Sequence, residues 1–307
     1  MELAKENIVQ LETFFNNSKF SSLGAVITDL DGTAVHEYKG KIVIHTSVEL
    51  GLKKMHHLGR PIIINTLRFP LSVIHTFGKE WYTISNAPIP VVLLNGSQLG
   101  YIVQSSDGSF GFEQKVSFTL TEKEIDNVLQ GVSKLLVGGI NNLVFFYYPE
   151  DWTKGEIIWT PDEKRISKLK QKYLSASSVI STDIAELRNT LLSQKLCMIF
   201  LLIEENTDKL MAYQHSKKSN FFTTAGVDKL SGTREMAMEL GVDLAHSIGA
   251  GDTAMDNFLQ GVGLSVHVGN RNLPFKGASD TIKLPGFTEF GQLLFHFAAL
   301  QQNKILQ

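Results

Sequence analysis

At 307 residues, with 43% hydrophobic and 20% charged residues, the chain has the composition of a folded globular protein and more length than one core usually takes, so two domains, or one with a large insertion, are expected. A net charge of −2 and a pI of about 6.5 exclude a broad basic field for nucleic acid or an anionic membrane and leave small ligands as the expected partners. The single cysteine, Cys197, cannot form an internal disulfide and suits a reducing cytoplasm; its apolar run, Leu196 to Ile203, is too short to cross a bilayer.

The N-terminal stretch MELAKENIVQLETFFNN places Ile8, Leu11, Phe14 and Phe15 at helical spacing and reads as an amphipathic helix packed on the main domain. Gly24 to Leu30 reads as a strand, Ser47 to His57 as a helix, and PIIINT as a second buried strand from Ile62 to Thr66, which completes a β-α-β unit. A helix over Pro70 to Gly78 and a strand in VVLLNG continue the pattern of a Rossmann-like, doubly wound parallel sheet with ligands at the carboxyl ends of its strands. The rhythm then changes. YIVQSSDGSFGFEQKVSF reads as an antiparallel hairpin, followed by helices near 121–136 and 161–173 and strands near 144–148 and 195–203. These form an expected α+β insertion over residues 99–218, leaving 1–98 and 219–307 as the core. Beyond it, a helix in Gly226 to Leu240 and strands at Ala245 to Gly249 and Leu264 to Val268 resume the parallel pattern.

The polar residues with chemical promise stand at the strand ends. AVITDLDGTAV stops an apolar strand on Asp29 and Asp31, and GDTAMD places Asp252 and Asp256 four apart after another strand, on one side if that segment is helical. A carboxylate at such a loop mouth meets a ligand without being buried unpaired. One of Asp29 and Asp31 could attack a substrate while the other moves protons, and a magnesium ion between Asp29 and Asp252 would offset their repulsion. Thr66 at the second strand's end and Lys229 at the start of a helix would contact phosphate oxygens. Of the remaining features, the aromatic run VFFYYPEDW reads as packing, the basic run KRISKLKQKY as a solvated face, and the nine histidines show no ligand spacing.

DLDGT, a threonine ending the second strand, a lysine after a long insertion, and GDTAMD together resemble the four motifs of the haloacid dehalogenase (HAD) superfamily of phosphohydrolases. The insertion's position and VVLLNGSQL resemble subfamily IIB, the Cof-like phosphatases related to sucrose-phosphate phosphatase, and GVDKLSGTREMAMELG and SVHVGN are also similar. The resemblance implies a HAD core with an inserted cap and a magnesium-dependent phosphatase acting on a small phosphorylated metabolite, with sugar phosphates the expected class. It implies Asp29 as nucleophile, Asp31 as acid and base, Thr66 and Lys229 as phosphate-binding residues, and magnesium held by Asp29, Asp31 (through its carbonyl) and Asp252, supported by Asp256. Asn95, at the mouth of the site, and Arg68 are implied substrate contacts. Two positions depart from the pattern: Leu67 stands where the second motif commonly has glycine, and Met255 where the fourth commonly has asparagine, which implies weaker metal binding. A phosphosugar mutase on the same core and a non-catalytic phosphometabolite-binding module are the alternative expectations.

Overall fold

The computed structural model of the chain describes residues 3–204 and 221–306. Fifteen strands and ten α-helices follow in chain order: α1 (Lys5–Asn17), α2 (Phe20–Leu23), β1 (Val26–Thr28), β2 (Val35–Tyr38), β3 (Lys41–Ile44), α3 (Thr46–His57), β4 (Ile62–Asn65), α4 (Pro70–Val73), α5 (Lys79–Ser85), β5 (Ile89–Leu93), β6 (Gln98–Gln104), β7 (Phe110–Ser117), α6 (Glu122–Val137), β8 (Leu143–Pro149), β9 (Glu156–Trp159), α7 (Ile166–Lys172), β10 (Ala176–Ile180), α8 (Ile184–Leu192), β11 (Leu196–Ile203), β12 (Phe221–Phe222), α9 (Lys229–Leu240), β13 (Ile248–Gly251), β14 (Leu264–Val268), β15 (Asp280–Leu284) and α10 (Phe287–Ile305). Among the described residues, no helix is long and apolar enough to cross a membrane.

The large sheet has eight strands in the order β15-β14-β13-β1-β4-β5-β6-β7. From β15 to β5 all neighbours are parallel, with β1 at the centre between β13 and β4. Strands buried on both faces must alternate their apolar residues between two layers. Val26 accordingly packs with Leu11, Phe14, Phe297 and the rest of the α1, α3 and α10 layer, while Ala25 and Ile27 pack with Leu230, Met236 and Phe258 around α9. The N-terminal helix is thus docked on the main domain through Phe14 and Phe15 against Phe297.

Several expectations need correction. The hairpin expected to open the insertion extends the large sheet instead: β6 pairs antiparallel with β5 from Ile89↔Ile102 to Leu93↔Gln98, and β7 then pairs with β6. An antiparallel edge on a parallel sheet satisfies the outer backbone groups of β5 with no crossover. By sheet membership, the second layer begins after Ser117 and runs through Phe222, since β12 pairs with β11. Its five strands lie in the order β10-β9-β8-β11-β12. β8 and β11 stand as expected, but β9, β10 and α8 escaped the sequence reading, as did β2, β3, β15 and α10. The aromatic run is packing, with Phe145, Phe146, Tyr147 and Tyr148 all buried.

Glu124 ties the two chain crossings between the sheets together. Its carboxylate completes the capping box with Thr121 at the start of α6, and also accepts from the Ala225 backbone N–H at 2.8 Å and the Thr224 hydroxyl at 3.0 Å. Aromatic contacts close the space between the layers, Phe69 against Tyr148 and Phe112 against Trp152.

Gly96 holds the turn after β5 against the start of α9. Its φ is +93°, and a Cβ there would stand 2.1 Å from the Asp228 carbonyl oxygen. Gly96→Ala is expected to lower stability by about 2–4 kcal/mol, through a strained backbone and forced separation of this turn from α9, read as a lower denaturation midpoint with unchanged slope.

Candidate active site

The carboxyl ends of β1, β4 and β13 converge, and the residues singled out at strand ends meet there. Asp29 follows β1, and its backbone N–H donates to the Ala250 carbonyl of β13 at 2.9 Å. Lys229 opens α9, whose cap Asp228 accepts from the Ser231 N–H at 2.8 Å. The Nδ2 amide of Asn65, the last residue of β4, donates to the Lys229 carbonyl at 3.0 Å and to the Thr233 hydroxyl at 2.6 Å, which pins the first turn of α9 to the sheet. From this anchored position the Lys229 ammonium donates to Asp29 Oδ1 and to Asp256 Oδ1, both at 2.7 Å.

Asp256 is fully buried. The segment GDTAMD is not helical; Asp256 stands in a loop, because its Oδ2 accepts from the backbone N–H groups of Asp252 at 3.0 Å and Thr253 at 2.8 Å. A side chain that takes up local backbone donors in this way competes with helical pairing. The result still brings Asp252 beside Asp29 and Asp256, and one oxygen from each of the three lies within 4.8 Å of the others.

Burial of so much like charge sets the electrostatics. Burial pushes the Asp29 carboxyl well above the usual carboxylate range, against the pull of Lys229 and with repulsion from Asp256, Asp252 and Asp31. Asp252 is pushed up to about 7, by burial first and by Asp256 next. Burial opposes the charge on Lys229, but the Asp256 and Asp29 carboxylates outweigh it and hold the ammonium above its ordinary value. Three clustered carboxylates against one ammonium leave an excess of negative charge in a set of hard oxygen donors, and these residues fit a divalent cation such as magnesium.

Asp31 faces the other way. Its carboxylate lies outside the triad and accepts two bonds from Arg68, from Nε at 2.9 Å and from an Nη at 2.8 Å. Arg68 is only 3% exposed; its other terminal nitrogen donates to Ser72 Oγ at 3.0 Å and its guanidinium lies 5.0 Å over the Phe77 ring. Thr66 is buried beside it, its hydroxyl accepting from the Arg68 backbone N–H at 3.2 Å. Asn95 lies on the turn after β5 with a left-handed φ of +58°, and no hydrogen bond joins its side chain to the acidic cluster. The turn reaches the site through the Leu94 N–H, which donates to the Arg68 carbonyl at 3.2 Å.

The sequence reading passed over the residues that support this set. Asn257 accepts from the Leu230 N–H at 3.0 Å and donates to Asp228, clamping the fourth motif to the start of α9. Thr33 reaches Asp252 at 3.4 Å. Asn65, a polar residue closing an all-apolar strand, carried a readable signal; Asn257, next to Asp256, carried a weaker one.

The charge excess has a stability signature. Carboxyls raised in the folded state bind protons there that the unfolded chain has released, so without divalent cation stability falls as pH rises from about 4 through the Asp252 value of about 7. The metal-free protein is expected to melt higher at pH of about 5 than of about 8, and saturating magnesium to raise the melting temperature more at the higher pH, where protons no longer compete for the ligands.

A search of curated protein sequences returns no significant match. Solved structures with the same fold include a phosphatase of the HAD superfamily from Bacteroides thetaiotaomicron, 16% identical, covering 91% of this chain and 96% of its own with a TM-score of 0.61. A HAD subclass IIB sugar phosphatase is 18% identical, covering 92% of this chain and 100% of its own with a TM-score of 0.62. A protein from Thermotoga maritima is 14% identical over 89% of this chain and 97% of its own, with a TM-score of 0.61. The profile of the haloacid dehalogenase-like hydrolases matches residues 26–284, from the first residue of β1 to the last of β15, and the chain belongs to that family of hydrolases.

Proposed function

We propose that this protein is a magnesium-dependent phosphatase that hydrolyses a small phosphorylated metabolite, of the sugar-phosphate class, through an aspartyl-phosphate on Asp29, in a reducing cytoplasm. The observation that carries the reading is the pairing of Asp29 with Lys229 inside an acidic triad, with a second carboxylate two residues away held out of it by Arg68. The subclass of a structural neighbour described as a sugar phosphatase supports the substrate class.

In the first half-reaction an Asp29 oxygen attacks phosphorus as the bond to the leaving oxygen breaks, and Asp31 gives that oxygen its proton. In the second, water attacks the phosphoryl group, Asp31 takes the water's proton, the bond to Asp29 breaks and inorganic phosphate leaves. Lys229 favours the deprotonated, nucleophilic form of Asp29 against its burial and, with Thr66, meets the phosphoryl oxygens. Asp29, the Asp31 carbonyl and Asp252 would hold magnesium, with Asp256 in support, and the ion would supply positive charge toward the phosphoryl oxygens. Asp256 also fixes the Lys229 ammonium through its Oδ1.

Arg68 acts on Asp31 rather than on substrate. Its fork occupies both Asp31 oxygens, so it sets where that carboxylate points, and Asp31 must release one of the bonds to carry a proton. Asn95, at the entrance of the site, and the second sheet over it select the leaving group.

Phosphate release from a panel of sugar phosphates, nucleotides and an aryl phosphate is expected only with magnesium, and Asp29→Asn is expected to abolish it. A folded protein that releases no phosphate from any of them contradicts the proposal; a product with relocated phosphate and none free identifies a mutase instead. For Arg68→Lys, which keeps the charge but loses the fork, kcat is expected to fall by about 10–100-fold with KM changed little. A rise confined to KM would make Arg68 a substrate contact.

A further inference from the structure

A groove of about 500 Å³ lies beside the edge of the large sheet, among residues that take no part in the acidic cluster. Its floor is β14 and β15, where His267 pairs in register with Lys283. One wall is the loop carrying Pro274, Phe275 and Lys276; Glu6 of α1 closes the other side. The volume falls in the range of small-molecule sites.

His267 is the residue that calls for a partner. It is 2% exposed, lines the groove, and neither ring nitrogen makes a hydrogen bond of good geometry, the Phe275 backbone being only a loose contact. Burial and the Lys283 charge push the imidazole below its ordinary range, so the ring is neutral, with one N–H to donate and one lone pair to accept. Leaving such a buried group unmatched costs about 1–3 kcal/mol, which a ligand with a polar head would recover. The charged groups facing the groove are Lys276 and Lys283 against Glu6, a net positive balance that favours a monoanion. Pro274 and Phe275 offer apolar surface for the rest of the molecule.

We propose that this groove is a second binding site, for a small organic anion with an apolar body, its head held by His267, Lys276 and Lys283 and its body against Pro274 and Phe275. The site is independent of the catalytic reading, although β14 lies next to β13 and His267 pairs in register with Gly251, the residue before Asp252.

The test uses benzoate, a carboxylate on a flat apolar ring, and follows the histidine ring signals of the full-length protein by NMR, with the His267 signal assigned by its loss in His267→Gln. Benzoate is expected to shift that signal saturably at millimolar concentration, while benzamide, which lacks the charge, and inorganic phosphate, which lacks the apolar body, shift it far less. Replacing the exposed lysines in Lys276→Ala/Lys283→Ala is expected to weaken benzoate binding by about tenfold. No saturable shift with benzoate, an equal response to benzamide or phosphate, or unchanged affinity in the double variant would each overturn the proposal.

Discussion

The ammonium of Lys229, buried between Asp29 and Asp256, is the interaction on which the rest of the site depends. Two carboxylates cannot share a dry pocket without a cation, and a buried ammonium is equally untenable alone. The ammonium attracts both carboxylates and they attract it, and removing Lys229 would leave both without their shared partner. Asp252, next to this trio but without an ammonium of its own, is raised to about 7 by its burial and then by Asp256, and a divalent cation would complete the set.

The fold delivers these groups to one place by simple means. β1 lies between β4 and β13, so the residues leaving all three strands share an edge of the sheet whatever their separation in sequence. The start of α9 must reach the same edge, and three contacts fix it there: Asn65 on the Lys229 carbonyl, Asn257 on the Leu230 N–H, and Gly96 against the Asp228 carbonyl. Glu124 joins the two chain crossings between the sheets, and Tyr148 of the second sheet packs on Phe69, the residue after Arg68.

Much of this was legible in the sequence because it follows from polarity at the ends of apolar strands. Asp29, Thr66 and Asp252 each stand just after a buried run, and the parallel topology then forces them together. The errors have equally local causes. The alternation of YIVQSSDGSFGFEQKVSF is the same whether the hairpin extends one sheet or begins another, so the boundary at 98/99 could not be read from it. The spacing of Asp252 and Asp256 suits a helix, but an aspartate that accepts from two nearby backbone N–H groups builds a loop with the same outcome. The direction of Arg68 depends on Ser72 and Phe77, contacts set by packing after the motif itself.

The central claim is that Asp29 carries the phosphoryl group between the two half-reactions. The direct measurement is to mix enzyme with a turned-over phosphate ester and magnesium, quench in acid within the first turnover, and map the phosphorylated peptide by mass spectrometry. The account predicts acid-stable acyl phosphate on the peptide containing Asp29. Turnover at full rate with no phosphorylated Asp29 at any quench time, or phosphate on another residue, would contradict it.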